Sequence, residues 1–432
     1  MRKRIMIFSV LGVAAAVFIF NSLAISAQEK DKKKKDEIYR QVGLFSDSLA
    51  IIQSEYVDES SPKDLIYGAL KGMLSSLDPH SQFMDPDTYN ELKVDTEGKF
   101  GGLGIEITIK DGLITIVTPI EDTPAWNAGV KAGDRIVKIN NELTRDMTLT
   151  DAVKKMRGKP GTPVALTVLR ESAKKLLEFK ITRDIIKIKD IKEAKILEDN
   201  IGYIRLIEFR ENTPQDVAKN LDNLTKAGMT AFILDLRNNP GGLLDAAVKV
   251  AEKFIGKGKM IVYTKGRQPS QNLEFISLNE RPLADMPMVV LINEGSASGS
   301  EIVAGALQDY KRTIILGTKS FGKGSVQTVV PLSDGSALRL TTAKYFTPSG
   351  KVIHGKGVMP DVVIEEGIVE LRQDKDDKTD KSDDVFEEIE KKDNPAKKEE
   401  KAPAFDYKSD NQLMRAVDIL KAIRLYQADK GK

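Results

Sequence analysis

The sequence predicts a multidomain α/β protein, α+β in overall arrangement, and three patterns carry that expectation. Apolar residues recur at helical spacing between Ile38 and Met73. Alternating strands flank an Asp111-Gly112 turn. From Ile201 to Leu316, apolar runs of strand length alternate with amphipathic helices. With 432 residues, 41% of them apolar, the chain is long enough for two or three domains with their own cores.

Taken in order, Arg2 to Arg4 precede an apolar run from Ile5 to Phe20, and Ala24, Ser26 and Ala27 follow. Segment 1–27 reads as a signal peptide cleaved near Ala27, or as an uncleaved anchor. Both readings place the bulk of the chain outside the cytoplasm, which in a bacterium is the periplasm or cell envelope. In segment 38–92, Val42, Phe45, Leu49 and Ile52, then Leu65, Ala69 and Met73, predict two packed helices broken at Asp58 to Pro62.

Segment 95–182 opens with Lys99 and the run Gly101-Gly102-Leu103-Gly104-Ile105. Strands over Gly104 to Ile109 and Leu113 to Val117 follow. Then come Ala128-Gly129-Val130-Lys131-Ala132-Gly133-Asp134, a strand from Arg135 to Ile139, a short helix after Thr148 with Val153 and Met156 inward, and a strand from Val164 to Leu169. This order resembles a PDZ domain of the circularly permuted kind. The resemblance makes Gly102, Leu103, Gly104 and Ile105 a carboxylate-binding loop, beside which a peptide adds as a strand along Ile105 and Ile107, with Lys99 and Val153 at its sides.

Segment 183–368 carries strands at Ile201 to Leu206 and Ala231 to Leu236. The second runs into Asn239-Pro240-Gly241-Gly242 and a helix from Leu243. A strand from Met288 to Ile292 leads to Ser296, Ser298 and Ser300 and to a helix with apolar Ile302, Val303, Ala306 and Leu307. A further strand then reaches Phe321-Gly322-Lys323-Gly324. On residues alone Ser298 reads either as a helix cap or as a nucleophile exposed at a strand-to-helix turn. Segment 369–405 is dense in charge and reads as a disordered linker. Leu413, Ala416, Ile419, Leu420 and Ile423 predict an amphipathic helix in segment 406–432.

Composition narrows the chemistry. Lys and Arg total 66 against 64 Asp and Glu, a formal charge of +2, which gives no electrostatic case for a nucleic-acid partner. The chain has no cysteine, so cysteine nucleophiles, cysteine-bound zinc and disulfides are excluded. Its two histidines, His80 and His354, read as structural loop residues and argue against catalytic zinc and a Ser-His-Asp triad. A serine nucleophile here needs another base. A lysine serves only when neutral, a form that burial in an apolar pocket favours. Phe321, Gly322, Gly324 and Val326 are expected to supply such a pocket around Lys323.

Several of these runs occur together and in one order. Asn239-Pro240-Gly241-Gly242, Gly295-Ser296-Ala297-Ser298-Gly299-Ser300-Glu301, Phe321-Gly322-Lys323-Gly324-Ser325-Val326-Gln327, Asp334-Gly335-Ser336-Ala337-Leu338 and Gly357-Val358-Met359-Pro360-Asp361 resemble those of carboxyl-terminal processing peptidases, or tail-specific proteases. The resemblance spans about Ile38 to Ile364. It implies a crotonase-like α/β core and a catalytic set of Ser298, Lys323 and Gln327. The backbone N–H groups of Gly241 or Gly242 and of Gly299 would form the oxyanion hole. Gly299 stands where the family more often has alanine. The resemblance implies no cofactor and no metal, and its substrates would be proteins or peptides with exposed C-termini. An envelope adaptor protein and a homo-oligomer are compatible partners. The alternatives are a non-catalytic PDZ scaffold that binds tails and a crotonase-like acyl-CoA enzyme.

Overall fold

The computed structural model describes residues 36–145, 147–171, 175–283, 286–367 and 407–430. The expected leader at 1–27 and the charged linker at 369–405 lie outside the described residues. One compact unit ends at Asp85 and takes in Leu338–Leu340; the other comprises Pro86–Ala337 and the chain from Thr341. No helix of the described residues is long and apolar enough to cross a membrane.

In the first unit the helical pattern breaks where expected. One helix covers residues 36–55. A second, Pro62–Ser75, begins at Ser61, whose hydroxyl accepts the Asp64 N–H, and has Pro62 in its first turn, where a missing N–H is harmless. The mutual burial expected of these helices is not found: Val42 remains 57% exposed and Met73 52%. Ile38, Val42 and Phe45 of the first helix line an open cavity with Met73 of the second, and Ile38, Phe45 and Ile52 remain exposed.

In the second unit, residues 105–182 form a sheet in the strand order Ile105–Lys110, Leu113–Pro119, Arg135–Ile139, Pro163–Arg170, Lys175–Thr182. Strand Ile105–Lys110 is at its edge, hydrogen-bonded on one side only, to Leu113–Pro119. Leu103, Ile116, Ile136, Leu166 and Val168 close the core beneath. Helix Leu149–Met156 is started by a reciprocal cap between Thr148 and Asp151. Its buried stripe is Ala152 and Met156, one helical turn apart. Val153, expected to face inward, lies one position off that stripe and is half-buried. A two-stranded ladder pairs Lys99–Gly102, where the chain enters this domain, with Asp184–Lys187, where it leaves.

The remaining core is a six-stranded sheet. Ile191–Ile196 is antiparallel to Ile201–Leu206, and Ala231–Asp235, Met288–Ile292, Ile314–Gly317 and Val362–Val363 then follow in parallel. A parallel strand is covered on both faces, which explains why AFIL and MVVLI read as continuous apolar runs and why both strands are buried throughout. Helices Thr213–Lys226, Leu244–Ala251 and Gly299–Asp309 pack on one face against Ile204, Phe232, Leu234 and Val290. Helix Asn411–Lys430 covers the other through Leu413, Ala416, Val417 and Leu420. A second sheet pairs Met260–Gly266 with Glu274–Ile276 and Ala337–Phe346, and Ser325–Pro331 joins the last of these.

Candidate active site

Three loops at the carboxyl ends of the parallel strands converge. The first follows Met288–Ile292. There the Asn293 side chain accepts from the N–H groups of Asn238 at 2.8 Å and Gly295 at 3.1 Å, and the buried Ser296 hydroxyl donates to the Leu236 carbonyl at 2.8 Å. The turn so fixed ends on Ser298, with φ 52° and ψ −110°. A serine at positive φ is strained, and such strain persists only where the surroundings over-determine it. Helix Gly299–Asp309 begins at the next residue, so the half-buried Ser298 side chain stands at the positive end of a helix.

The second loop follows Ala231–Asp235. Asn239 is fully buried and its side chain bonds at both ends: Nδ2 donates to the Leu206 carbonyl and Oδ1 accepts the Gly241 N–H, both at 2.9 Å. Its own carbonyl accepts the Ala297 N–H at 3.0 Å and the Ser300 hydroxyl at 2.9 Å, which ties this loop to the serine turn. Gly241 has φ 98°, and a β-carbon there would meet Gly299 N and Ser298 Cβ at 2.6 Å. Glycine is the residue that permits both the conformation and the approach.

The third loop presents Lys323. The Phe321 N–H donates to the Ser296 carbonyl at 3.0 Å, and the Gly355 N–H to the Gly322 carbonyl at 2.8 Å. Lys323 and Gln327 are half-buried, and Gln327 Nε2 donates to the Ser325 hydroxyl at 2.9 Å. Phe321, expected to help dry this pocket, is 64% exposed. Of the two histidines, His80 donates its backbone N–H to Asp78 Oδ1 at 2.7 Å, and His354 is exposed with its backbone packed on Gly324.

Two residues that the sequence reading gave no role join these loops. Glu301 is fully buried. One carboxylate oxygen accepts the Ser298 and Lys323 N–H groups, each at 2.9 Å; the other accepts the Ser320 hydroxyl at 2.5 Å and the Gly322 N–H at 2.6 Å. Burial is the larger influence and lifts its carboxyl above the ordinary glutamate value, while the four hydrogen bonds pull the other way. Tyr345, also buried, donates its hydroxyl to the Lys323 carbonyl and its backbone N–H to the Gly324 carbonyl, at 3.0 Å for the latter. Glu301 was visible only as the last letter of a serine-rich run. Nothing local marks Tyr345, which reaches the site through strand pairing.

In the PDZ-like domain, the carbonyls of Leu103 and Gly104 are used internally, by the N–H groups of Ala125 at 2.9 Å and Ile120 at 2.8 Å. Leu103 is buried, Ile105 and Ile107 are half-buried, and Lys99 lies in the ladder with Asp184–Lys187. Among the described residues no group of three or more His, Asp and Glu side chains is placed to hold a metal ion.

Comparison with known proteins agrees with this architecture. Family models match for peptidase family S41 over residues 200–364, for the PDZ domain over 115–170, and for the N-terminal domain of the activating protease CtpB over 12–88. The chain is 46% identical over 369 residues to a carboxy-terminal-processing protease of Bartonella bacilliformis, covering 84% of each. It is 36% identical over 368 residues to the carboxy-terminal processing protease CtpA of Bacillus subtilis, covering 84% of this chain and 76% of that one. Among solved structures, a photosystem II D1 C-terminal processing protease matches with 31% identity and a TM-score of 0.43, over 74% of this chain and 92% of that one. With an α/β peptidase core, a PDZ domain and these relatives, the chain belongs to the carboxy-terminal processing proteases of peptidase family S41.

Proposed function

We propose that the protein is a serine endopeptidase that takes hold of the free C-terminus of an exported protein and cleaves near that tail by a Ser298-Lys323 mechanism. The observation that carries the reading is the shared carboxylate oxygen of Glu301, which holds the backbone of Ser298 and that of Lys323 at 2.9 Å each and so sets the two residues side by side. Lys323 takes the Ser298 proton as Oγ attacks the scissile carbonyl. The resulting ammonium returns that proton to the leaving amine, and water then releases the acyl group by the same path. Gln327 donates to Ser325, so its carbonyl oxygen is the end that orients the amine.

The tetrahedral oxyanion needs preorganised donors. With the Gly241 N–H given to Asn239, the donors assigned here are the N–H groups of Gly242 and Gly299. The one-sided pairing of Ile105–Lys110 supports addition of a tail as a further strand, its carboxylate at Gly102 to Ile105 and its side chains toward Val153. Tethering the tail raises the local concentration of the bond to be cut. The leader at 1–27 supports action in the cell envelope.

The test compares two peptides identical except for a free or an amidated C-terminus. The amidated form is expected to be cleaved at least about tenfold less efficiently, the loss of one charge-assisted carboxylate contact. Equal cleavage of both would remove tail recognition from the account.

A further inference from the structure

The two oxyanion donors assigned above lie on different loops, and one residue outside both loops lies against each of them. Phe209 follows strand Ile201–Leu206 and is 1% exposed. Its N–H donates to the Gly241 carbonyl at 2.8 Å, and its own carbonyl accepts the Leu243 N–H at 2.8 Å, so its backbone brackets Gly242 as one rung of a parallel bridge. The approach is close: Gly242 has φ 138°, and a β-carbon there would collide with the Phe209 carbonyl oxygen. The Gly241–Gly242 peptide is trans, and in a trans peptide the C=O and the N–H point to opposite sides. Holding the Gly241 carbonyl on Phe209 therefore turns the Gly242 N–H the other way. The ring reaches the second donor, since a β-carbon on Gly299 would lie 3.1 Å from Phe209 Cδ2. The bracket is itself anchored: the next residue, Arg210, donates its N–H to Thr213 Oγ1 and its Nε to the Asp95 carbonyl, both at 2.8 Å.

We propose that Phe209 is a positioning residue of the peptidase site, whose backbone holds the Gly242 N–H turned away from Phe209 and toward the scissile carbonyl oxygen before substrate binds. This rests on the Ser298-Lys323 reading above, with Gly242 as an oxyanion donor. Two glycines in succession have no side chains to restrict their dihedral angles. An oxyanion donor acts at full strength only when it is in place before the charge develops. Asn239 fixes the near end of the pair through the Gly241 N–H, and Phe209 fixes the far end through the Gly241 carbonyl. The Phe209 ring packs in the core with Ala247 and Ile302, so the contributions of its side chain and of its N–H are separable.

The test places phenyllactate at position 209 of the full chain, which keeps the ring and exchanges the N–H for an ester oxygen, beside wild type, Phe209→Leu and Ser298→Ala. Each protein is assayed on a tail peptide and on the matching peptide aldehyde. Ser298 Oγ adds to the aldehyde carbon, its proton passes to Lys323, and the former carbonyl oxygen becomes the anion that the donors meet. In the ester variant, kcat per titratable site and aldehyde affinity are each expected to fall about 10- to 100-fold, as for a donor displaced and not removed. KM for the tail peptide should stay at the wild-type value, since the contact is made only in the transition state. Phe209→Leu keeps the N–H, so it should melt lower while its kcat stays within about threefold of wild type. A structural role alone would lower the melting temperature of both variants and leave kcat per site and aldehyde affinity as in wild type, and that outcome overturns the proposal. So does a loss of kcat at unchanged aldehyde affinity, which places the damage away from the oxyanion. If the ester variant does not fold, the hydroxy-acid analogue of leucine at position 243 takes its place. It removes the other bond of the bracket, and wild-type kinetics there are equally fatal. Cleavage that survives Ser298→Ala defeats the Ser-Lys reading itself; with that variant inactive, wild-type kinetics in the ester variant defeat only the role of Phe209.

Discussion

Arg237 grips Asp410 with both terminal nitrogens, at 3.0 and 2.7 Å, and so joins the loop that holds Asn239 and Gly241 to the C-terminal helix. The same guanidinium donates to Asp235 at 3.0 and 2.7 Å and to Gln412 at 3.0 Å, and the Tyr203 hydroxyl completes the cluster on Asp235 at 2.9 Å. Asp235 is fully buried, so its charge depends on Arg237. Removing one partner of a buried pair costs about 3–5 kcal/mol, because the other is left uncompensated. Arg237→Ala is therefore expected to lower the unfolding free energy measured in urea by that amount, and Asp410→Asn by less, since Asp235 remains to pair with Arg237. Equal, small shifts for both would show that the helix is not tied to the loop in this way.

Glu301→Gln separates the two demands on that residue. An amide has one acceptor oxygen, so its NH2 must face two of the four donors that now meet the carboxylate. If it faces Ser298 and Lys323, their common anchor is lost, and kcat should fall about 100-fold. Stability should respond differently. A carboxyl raised above its ordinary value of 4.5 contributes most below that pH, and its contribution is lost as pH rises through the raised value. Gln does not titrate, so Glu301→Gln should gain stability relative to wild type between pH 4.5 and 7. Unfolding curves at the two pH values check the sign, and a relative loss would contradict the assigned direction.

The serine and lysine runs were legible because each is local: a turn after an apolar strand, and glycines around one cation. The central strands were legible for a related reason, since burial on both faces leaves uninterrupted apolar runs in the sequence. What escaped was set by distant packing. Tyr345 looks like any strand aromatic until strand pairing brings its hydroxyl to the Lys323 carbonyl. The Phe321 N–H bond to the Ser296 carbonyl ties the lysine loop to the serine turn, a pairing that a reading of neighbours along the chain does not contain. The terminal helix could be read as amphipathic, but not the face it covers.

Gly299→Ala tests the one departure from the family pattern in the serine run. A β-carbon there would lie 3.1 Å from Phe209 Cδ2 and 3.2 Å from Ala247 Cβ, closer than ordinary contact. Overpacking of this kind costs about 1–3 kcal/mol. The backbone N–H is untouched. Thermal melting should therefore shift downward while kcat stays within a few-fold of wild type. A large loss of kcat at unchanged stability would mean that the oxyanion geometry, and not the packing, depends on glycine here.

The pairing of Ser298 with Lys323 is examined most directly by digesting one peptide with a free apolar C-terminus using the full-length wild type, Ser298→Ala and Lys323→Ala, each checked for folding by its melting curve. The account predicts cleavage near the tail by wild type and a loss of about a thousandfold or more in both variants, the scale of losing a nucleophile or its base. Folded Ser298→Ala or Lys323→Ala protein that cuts the peptide at the wild-type rate would contradict it.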